Sequence, residues 1–335
     1  MDAMSNLVVK VTRIDAVAPH TNADALEIAV VGGWQCVVRK GEYRPGERIV
    51  YFPPDTILPR EISDRFGVTQ YLSKGRIRCA RLRGEPSFGL VVRPDQDWPE
   101  GADVAAHYGA TKYEPPVKMG AGDVERDHPL FPRYTEIENL RSYPAVLRPG
   151  EPVVATEKIH GTNCRVGVVE GQRIAGSKGL RRREPAEYRT NTYWFPWTLE
   201  PVARLLTELG RRHAQAILFG EVFGPGVQTF QYGRTDLGFR AFDLLVDGRY
   251  LDYEPLLAVC REHSVDAVPE LGRIAYDLAA VRTHAGGPAF AGPHVREGVV
   301  VRPLVERTDP EIGRVVLKYL SDDYLLAKHQ DFTDR

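Results

Sequence analysis

From residue 7 to about residue 110 the chain is cut into short alternating apolar runs, each ended by glycine or proline. That punctuation leaves little room for anything but β structure. Runs at 7–17, 26–31 and 34–38 predict strands, with Gly32-Gly33 as the tight turn between the last two. A run at 48–52 follows Pro45-Gly46 and stops at Pro53-Pro54, because proline cannot donate to a sheet ladder. Runs at 77–82 and 88–92 supply two more strands. Five or six strands of this length predict a small closed β-barrel of the OB type, a common platform for nucleic acid.

The rest of the chain is built differently. Of 335 residues, enough for two domains with their own cores, the pattern assigns 1–115 to the barrel and 120–335 to a second domain. Glu114-Pro115-Pro116, Gly120-Ala121-Gly122, Pro129 and Pro132 mark the linker, with the boundary near residue 120. In the second domain, 198–210 predicts a helix with one apolar stripe, Thr198 as N-cap and Gly210 as its stop. A helix is also expected over 254–263, and a short one over 322–328. Strands are expected at 217–222, 239–246, 297–302 and 314–319. Strands with irregularly interspersed helices predict an α+β fold with antiparallel sheets.

Composition excludes several classes. At 43% hydrophobic and 27% charged, the chain has no run of about 18 apolar residues that could span a bilayer. Residues 1–6 lack a basic segment followed by an apolar block, so no secretory signal is expected. Cys36, Cys79, Cys164 and Cys260 form no CxxC pair and no metal-ligand spacing, which predicts a reduced, cytoplasmic setting. A net charge of −1 means that any nucleic-acid surface must come from local clusters. Two exist: Lys74, Arg76, Arg78, Arg81 and Arg83, and Lys178 with Arg181-Arg182-Arg183.

At the centre of the second domain lies Glu157-Lys158-Ile159-His160-Gly161-Thr162-Asn163, between a strand ending near Val154 and one carrying Cys164, Val166 and Val168. The second strand turns at Glu170-Gly171. Five further segments follow in order: Ser177-Lys178-Gly179, Phe219-Gly220-Glu221-Val222-Phe223, Phe239-Arg240-Ala241-Phe242-Asp243, Glu297-Gly298-Val299-Val300 and Leu317-Lys318-Tyr319-Leu320-Ser321. Together these six resemble the covalent nucleotidyltransferase superfamily of polynucleotide ligases and RNA capping enzymes, whose catalytic domain is an antiparallel-sheet, ATP-grasp-like ligase fold. The Lys-x-His-Gly form at Lys158 is similar to RNA ligases, since DNA ligases usually carry Asp where His160 stands. With the barrel first, and with Arg13-Ile14-Asp15 through His20-Thr21-Asn22-Ala23-Asp24-Ala25-Leu26 similar to the opening of OB modules that bind tRNA, the whole chain resembles the Deinococcus-type RNA ligases.

The resemblance implies an ATP-dependent enzyme that attaches AMP to Lys158, moves it to a 5′-phosphate and lets a 3′-hydroxyl displace it. The expected substrate is a nicked duplex with an RNA 3′-hydroxyl end, recognised by A-form shape, with Mg2+ or Mn2+ as the metal. No obligate protein partner and no membrane are implied. Lys158, His160, Asn163, Glu297 and Lys318 are the implied catalytic residues. The implied nucleotide pocket comprises Glu157 near the adenine amine, Lys158, Ile159, Asn163, Lys178, Glu221 on the ribose, Phe242 stacked on the base, Glu297 and Lys318. Magnesium keeps most of its waters on phosphate oxygens, so no dedicated protein cage is expected.

Amine attack requires neutral lysine, and an unperturbed lysine is neutral in roughly one molecule in a thousand at pH 7.5. Partial burial and a cationic neighbour, Lys318, are therefore expected to lower the Lys158 pKa. Two departures stand out. Leu320 occupies the second place of the usual Lys-x-Lys motif, which leaves a phosphate contact to come from elsewhere, Arg314 being one candidate. The second motif can be registered on Lys178, Arg181 or Arg182. The alternatives are a capping guanylyltransferase, which usually has its OB domain last, a DNA ligase, and a non-catalytic nucleic-acid-binding module.

Overall fold

A computed structural model describes residues 7–113 and 124–327. The expected linker at 114–116 and 120–122, the boundary near 120, and Lys328 lie outside the described residues. The described chain forms two compact units. One gathers 7–113 with 138–144 and 322–327; the other gathers 124–137 and 145–321. The segments 138–144 and 322–327 therefore group with the first unit, although they lie far along the chain.

In the first unit, strands β1 (Lys10–Arg13), β2 (Ala16–Pro19), β3 (Leu26–Val31), β4 (Trp34–Arg39), β5 (Arg48–Phe52), β6 (Thr56–Ile57), β7 (Cys79–Leu82), β8 (Glu85–Phe88), β9 (Leu90–Val92) and β10 (Thr111–Lys112) are all antiparallel to their partners. They form sheets of order β1-β5-β9 and β2-β3-β4, the hairpin β7-β8, and the pair β6-β10. The single strand expected over 7–17 is divided at Ile14 and Asp15, where the chain leaves one sheet for the other. Ile14 N–H donates to Glu47, Asp15 N–H donates to Val30, and the Asp15 carboxylate accepts from Gly32. The run at 88–92 breaks at Gly89, whose φ of +94° suits glycine. A short helix α1 (Arg60–Arg65) escapes the sequence pattern because it is too brief to show a period. Val9, Val11, Val50, Phe52, Ile77 and Tyr108 fill the core. The two-residue strand β11 (Glu138–Asn139) belongs to this unit too.

The second unit is built on two antiparallel sheets. Strands β12 (Pro152–Lys158), β13 (Thr162–Val169), β14 (Gln172–Ser177), β15 (Arg181–Arg182), β16 (Gln215–Phe223), β17 (Gly238–Val246), β18 (Arg249–Tyr250), β19 (Glu270–Ala275), β20 (Gly298–Pro303), β21 (Thr308–Asp309), β22 (Gly313–Arg314) and β23 (Leu317–Leu320) follow in order. The larger sheet runs β15-β14-β13-β16-β17-β18, and the smaller contains β23-β20-β12-β19 in that order. The architecture is α+β. Glu170 and Gly171 both take positive φ, as the two-residue hairpin between β13 and β14 requires.

Cys164, Val166 and Val168 point to one face of the larger sheet, where α2 (Glu200–Gly210) and α3 (Tyr253–His263) bury Val202, Leu205, Leu206, Leu256 and Cys260 against them. Helix α2 starts one residue later than Thr198 would set it. The Thr198 hydroxyl donates to Phe195 within a preceding 3-10 turn, so Leu199 takes the cap position. The alternate residues face the smaller sheet across a cleft that is bridged at one end by Arg302, whose Nη1 stands 3.3 Å from the fully buried Asp243 carboxylate. Helix α4 (Leu278–Ala285), which has no expected counterpart, packs on the smaller sheet. The expected strand at 314–319 begins only at Leu317, with Arg314 in the separate β22 hairpin.

Candidate active site

Strand alternation decides what enters the cleft. On β12, Thr156 and Lys158 share a face, and cross-strand register aligns them with Val300 and Gly298 and then with Lys318 and Leu320. Lys318 therefore lies on the Lys158 face, two strands and two residues away, which corresponds to a Cα separation of about 12 Å. On the larger sheet, Asn163 pairs with Glu221, and Lys178 follows the residue opposite Cys164. Lys158 and Lys318 thus lie on one sheet, and Asn163, Glu221 and Lys178 on or just beyond the strands of the other.

Lys158 ends β12 with its side chain 20% exposed, and Nζ donates to Glu297 Oε1 at 2.6 Å. The second oxygen of Glu297 meets His160 Nδ1 at 3.2 Å, and His160 Nε2 meets the Thr229 hydroxyl at 3.0 Å. Burial alone would lower the Lys158 pKa. Glu297 and Glu221 outweigh it, and the ammonium is held above its ordinary value. This corrects the expectation of a depressed lysine beside Lys318: the charges acting most strongly on Lys158 are carboxylates, which favour its charged form. Burial of Glu297 is outweighed by Lys158 and His160, so its carboxyl lies below the usual range. Burial pushes Glu221 up to about 8 against the pull of Lys158, Lys178 and the Gly161 N–H.

The turn after Lys158 is tight for steric reasons. A side chain at Gly161 would collide with the Val222 carbonyl, and one at Gly298 would collide with the Tyr319 carbonyl. Ile159 is buried, and Asn163 carries a buried side-chain oxygen with no donor. Phe242 is partly buried at the β16–β17 bulge, with its ring 5.0 Å from that of Tyr134. Lys178 pairs with Glu136 at 2.7 Å and is among the charges felt by Glu221. Arg181 is taken by Glu125, and Arg182 lies over Tyr193, so of the three registrations only Lys178 turns toward the site.

Two of the expected side chains are engaged away from Lys158. The Glu157 carboxylate, expected near the adenine amine, is buried on the other face of β12, where it accepts from Phe290 N–H at 3.0 Å and from Arg296 Nε at 3.4 Å. Alternation forces this, because the neighbouring Lys158 enters the cleft. Arg314 cannot replace the missing second lysine: it pairs with Asp243 at 2.6 Å and with Glu306, and lies over Tyr250. Leu320, aligned with Gly298 and Lys158, brings no second cation to that row.

The sequence motifs also omit Thr229, Phe230, Tyr232, Phe290 and Arg296, all of which grip Glu157 or His160 on either side of Lys158-Ile159. They sit in loops remote in sequence, and no periodicity or spacing marks them. Among the described residues, no group of three or more His, Cys, Asp or Glu converges as a metal site, and no helix is long and apolar enough to cross a membrane.

The chain thus carries an inter-sheet cleft with a lysine–carboxylate pair in one unit and small antiparallel sheets in the other, and comparison with known proteins assigns the class. Residues 151–320 match the RNA ligase family model, and residues 8–94 match an OB-fold domain model. The chain belongs to the RNA ligase family. Among solved structures, Naegleria gruberi RNA ligase with PPi aligns at 25% identity and a TM-score of 0.79, covering 95% of this chain and 97% of that one. A mutant of the same ligase with ATP and Mn aligns at 24% identity and a TM-score of 0.80, covering 95% and 98%. No curated protein matches the chain.

Proposed function

We propose that this chain is an ATP-dependent RNA ligase that seals nicks between an RNA 3′-hydroxyl and a 5′-phosphate, in the manner of the Deinococcus-type enzymes, with Lys158 as the residue that carries AMP. The observation that carries this reading is the placement of Lys158 Nζ against Glu297 at 2.6 Å, in a cleft whose opposite wall holds the unpaired Asn163 oxygen. An amine attacks the ATP α-phosphate, forming an N–P bond and expelling pyrophosphate. The nick 5′-phosphate oxygen then takes AMP from the lysine, and the 3′-hydroxyl displaces AMP to form the phosphodiester.

The side chains fit these groups. The orphaned Asn163 oxygen is available to a donor on the nucleotide, Phe242 offers a ring for the base, and Lys178 and Lys318 offer positive charge to phosphates. Glu297 would position the water of a magnesium or manganese ion, and such an ion would neutralise charge on the phosphates. Before attack, Lys158 must give up a proton that Glu297 and Glu221 now stabilise. Glu297, bonded to both Lys158 and His160, is the group whose hold on the ammonium must weaken for that release.

In the barrel unit, Arg76 is buried against Asp55, while Lys74, Arg78, Arg81 and Arg83 are exposed. These four are proposed to contact duplex phosphates. The test is sealing of 5′-phosphate nicks whose 3′-hydroxyl strand ends in RNA or in DNA, with ATP and magnesium. Preference for the RNA end supports the reading. Equal sealing of both ends would make the protein a general ligase, and no sealing of either would refute the assignment.

A further inference from the structure

Glu157 and His160, which bracket Lys158-Ile159, are held from outside the strand by two loops that are stacked on each other. On one side, Phe290 N–H and Arg296 fix the Glu157 carboxylate. On the other, the Tyr232 hydroxyl accepts the His160 N–H at 2.6 Å, and Thr229 meets the His160 ring. The loops are joined by aromatic contacts: Tyr232 stacks on Phe290 at 5.0 Å and 22°, and Phe230 stacks on His294 at 4.3 Å and 3°. Tyr232 is the pivot. It is buried, and it adopts a φ of +53°, a region that a bulky side chain occupies only where its surroundings dictate it. A side chain at Gly292 would press on the Tyr232 backbone at 3.1 Å, so the opposing loop leaves that conformation room.

We propose that Tyr232 is a positioning residue for Lys158, acting through the hydrogen bond its hydroxyl accepts from the His160 N–H. The amide at the start of the turn is thus anchored by a side chain from the loop that follows β16. Ring stacking on Phe290 sets where the hydroxyl stands, and the hydroxyl sets the turn from which the lysine projects. This inference rests on the ligase reading, because it assigns Tyr232 to the step in which Lys158 is the nucleophile. Sealing of an end that already carries AMP does not use the Lys158 amine as nucleophile, and that separates positioning of Lys158 from general support of the fold.

The test is Tyr232→Phe, which keeps the ring and removes the acceptor. Single-turnover transfer of label from α-labelled ATP to the protein is expected to slow at least tenfold, with the ATP KM unchanged within about twofold. Sealing of a nick with a pre-adenylylated 5′ end, without ATP, is expected to match wild type within about twofold. Phe290→Leu, which unseats the ring, is expected to give the same split and serves if Tyr232→Phe does not fold. Equal loss in both steps, or no loss in either, overturns the proposal. A wild-type protein that seals pre-adenylylated nicks but takes no label from any nucleotide overturns both the proposal and the lysyl-AMP reading. A labelled wild type with an indifferent Tyr232→Phe variant overturns the positioning role alone.

Discussion

Replacing Glu297 with Gln should turn Lys158 from a stabilised ammonium into an amine that is easily deprotonated. The Nζ to Oε1 distance of 2.6 Å places the charge centres about 3–4 Å apart. At an effective dielectric near 20, a pair at about 4 Å is worth about 4 kcal/mol, or about 3 pK units. The partial exposure of Lys158 and the remaining attraction of Glu221 make the expected fall smaller than that upper figure. Burial, which already favours the neutral amine, would then dominate. Competitive labelling with acetic anhydride across pH, read by mass spectrometry of the Lys158 peptide, measures this directly. Wild type should titrate above ordinary lysine and Glu297→Gln clearly lower than wild type. A Lys158 pKa already depressed in wild type, or unmoved in the variant, would refute the electrostatic argument. The same pair sets a stability window. The Lys158 contribution is fully present below about pH 10.4 and lost as pH rises through its raised folded value. The Glu297 contribution is present above about pH 4.3 and lost as pH falls through its lowered one.

Other outcomes follow from the same geometry. Phe242→Ala should weaken ATP binding about 5- to 150-fold, from the roughly 1–3 kcal/mol that stacking on a base supplies, with Phe242→Trp retaining most of it; saturation of self-labelling measures this. Asp243→Asn leaves the buried Arg302 and Arg314 short of a counter-charge and should cost about 3–5 kcal/mol, lowering Tm by about 6–20 °C in a thermal melt. Reversing Arg78 and Arg81 to Glu should weaken nick sealing and flatten its salt dependence by about two units of slope, while self-labelling is unchanged.

The fold was legible where local pattern is strong. The alternation at Cys164, Val166 and Val168, the Glu170-Gly171 hairpin and the apolar stripe of α2 all follow from spacing and turn chemistry. What escaped was set by contacts remote in sequence. Strand β1 gives way to β2 because Asp15 is claimed by Val30 and Gly32, and helix α1 is too short to show a period. In the site, the motifs identified residues that the structure brings together: Lys158, His160, Asn163, Glu221 and Glu297. They did not fix side-chain direction or charge environment. Glu157 turns away from the cleft because its neighbour enters it, Arg314 is already committed to Asp243, and Lys158 lies among carboxylates. The Tyr232 bond to His160 spans 72 residues, and no local pattern encodes such a contact.

The central claim is that Lys158 carries AMP. Incubation with α-labelled ATP and magnesium, with GTP and NAD in parallel, followed by denaturing electrophoresis after pyrophosphate treatment to strip any AMP already bound, tests it most directly. The account predicts label from ATP that is acid-labile, alkali-stable and absent in Lys158→Ala. Label persisting in Lys158→Ala, label from GTP alone, or no label from any nucleotide would contradict it.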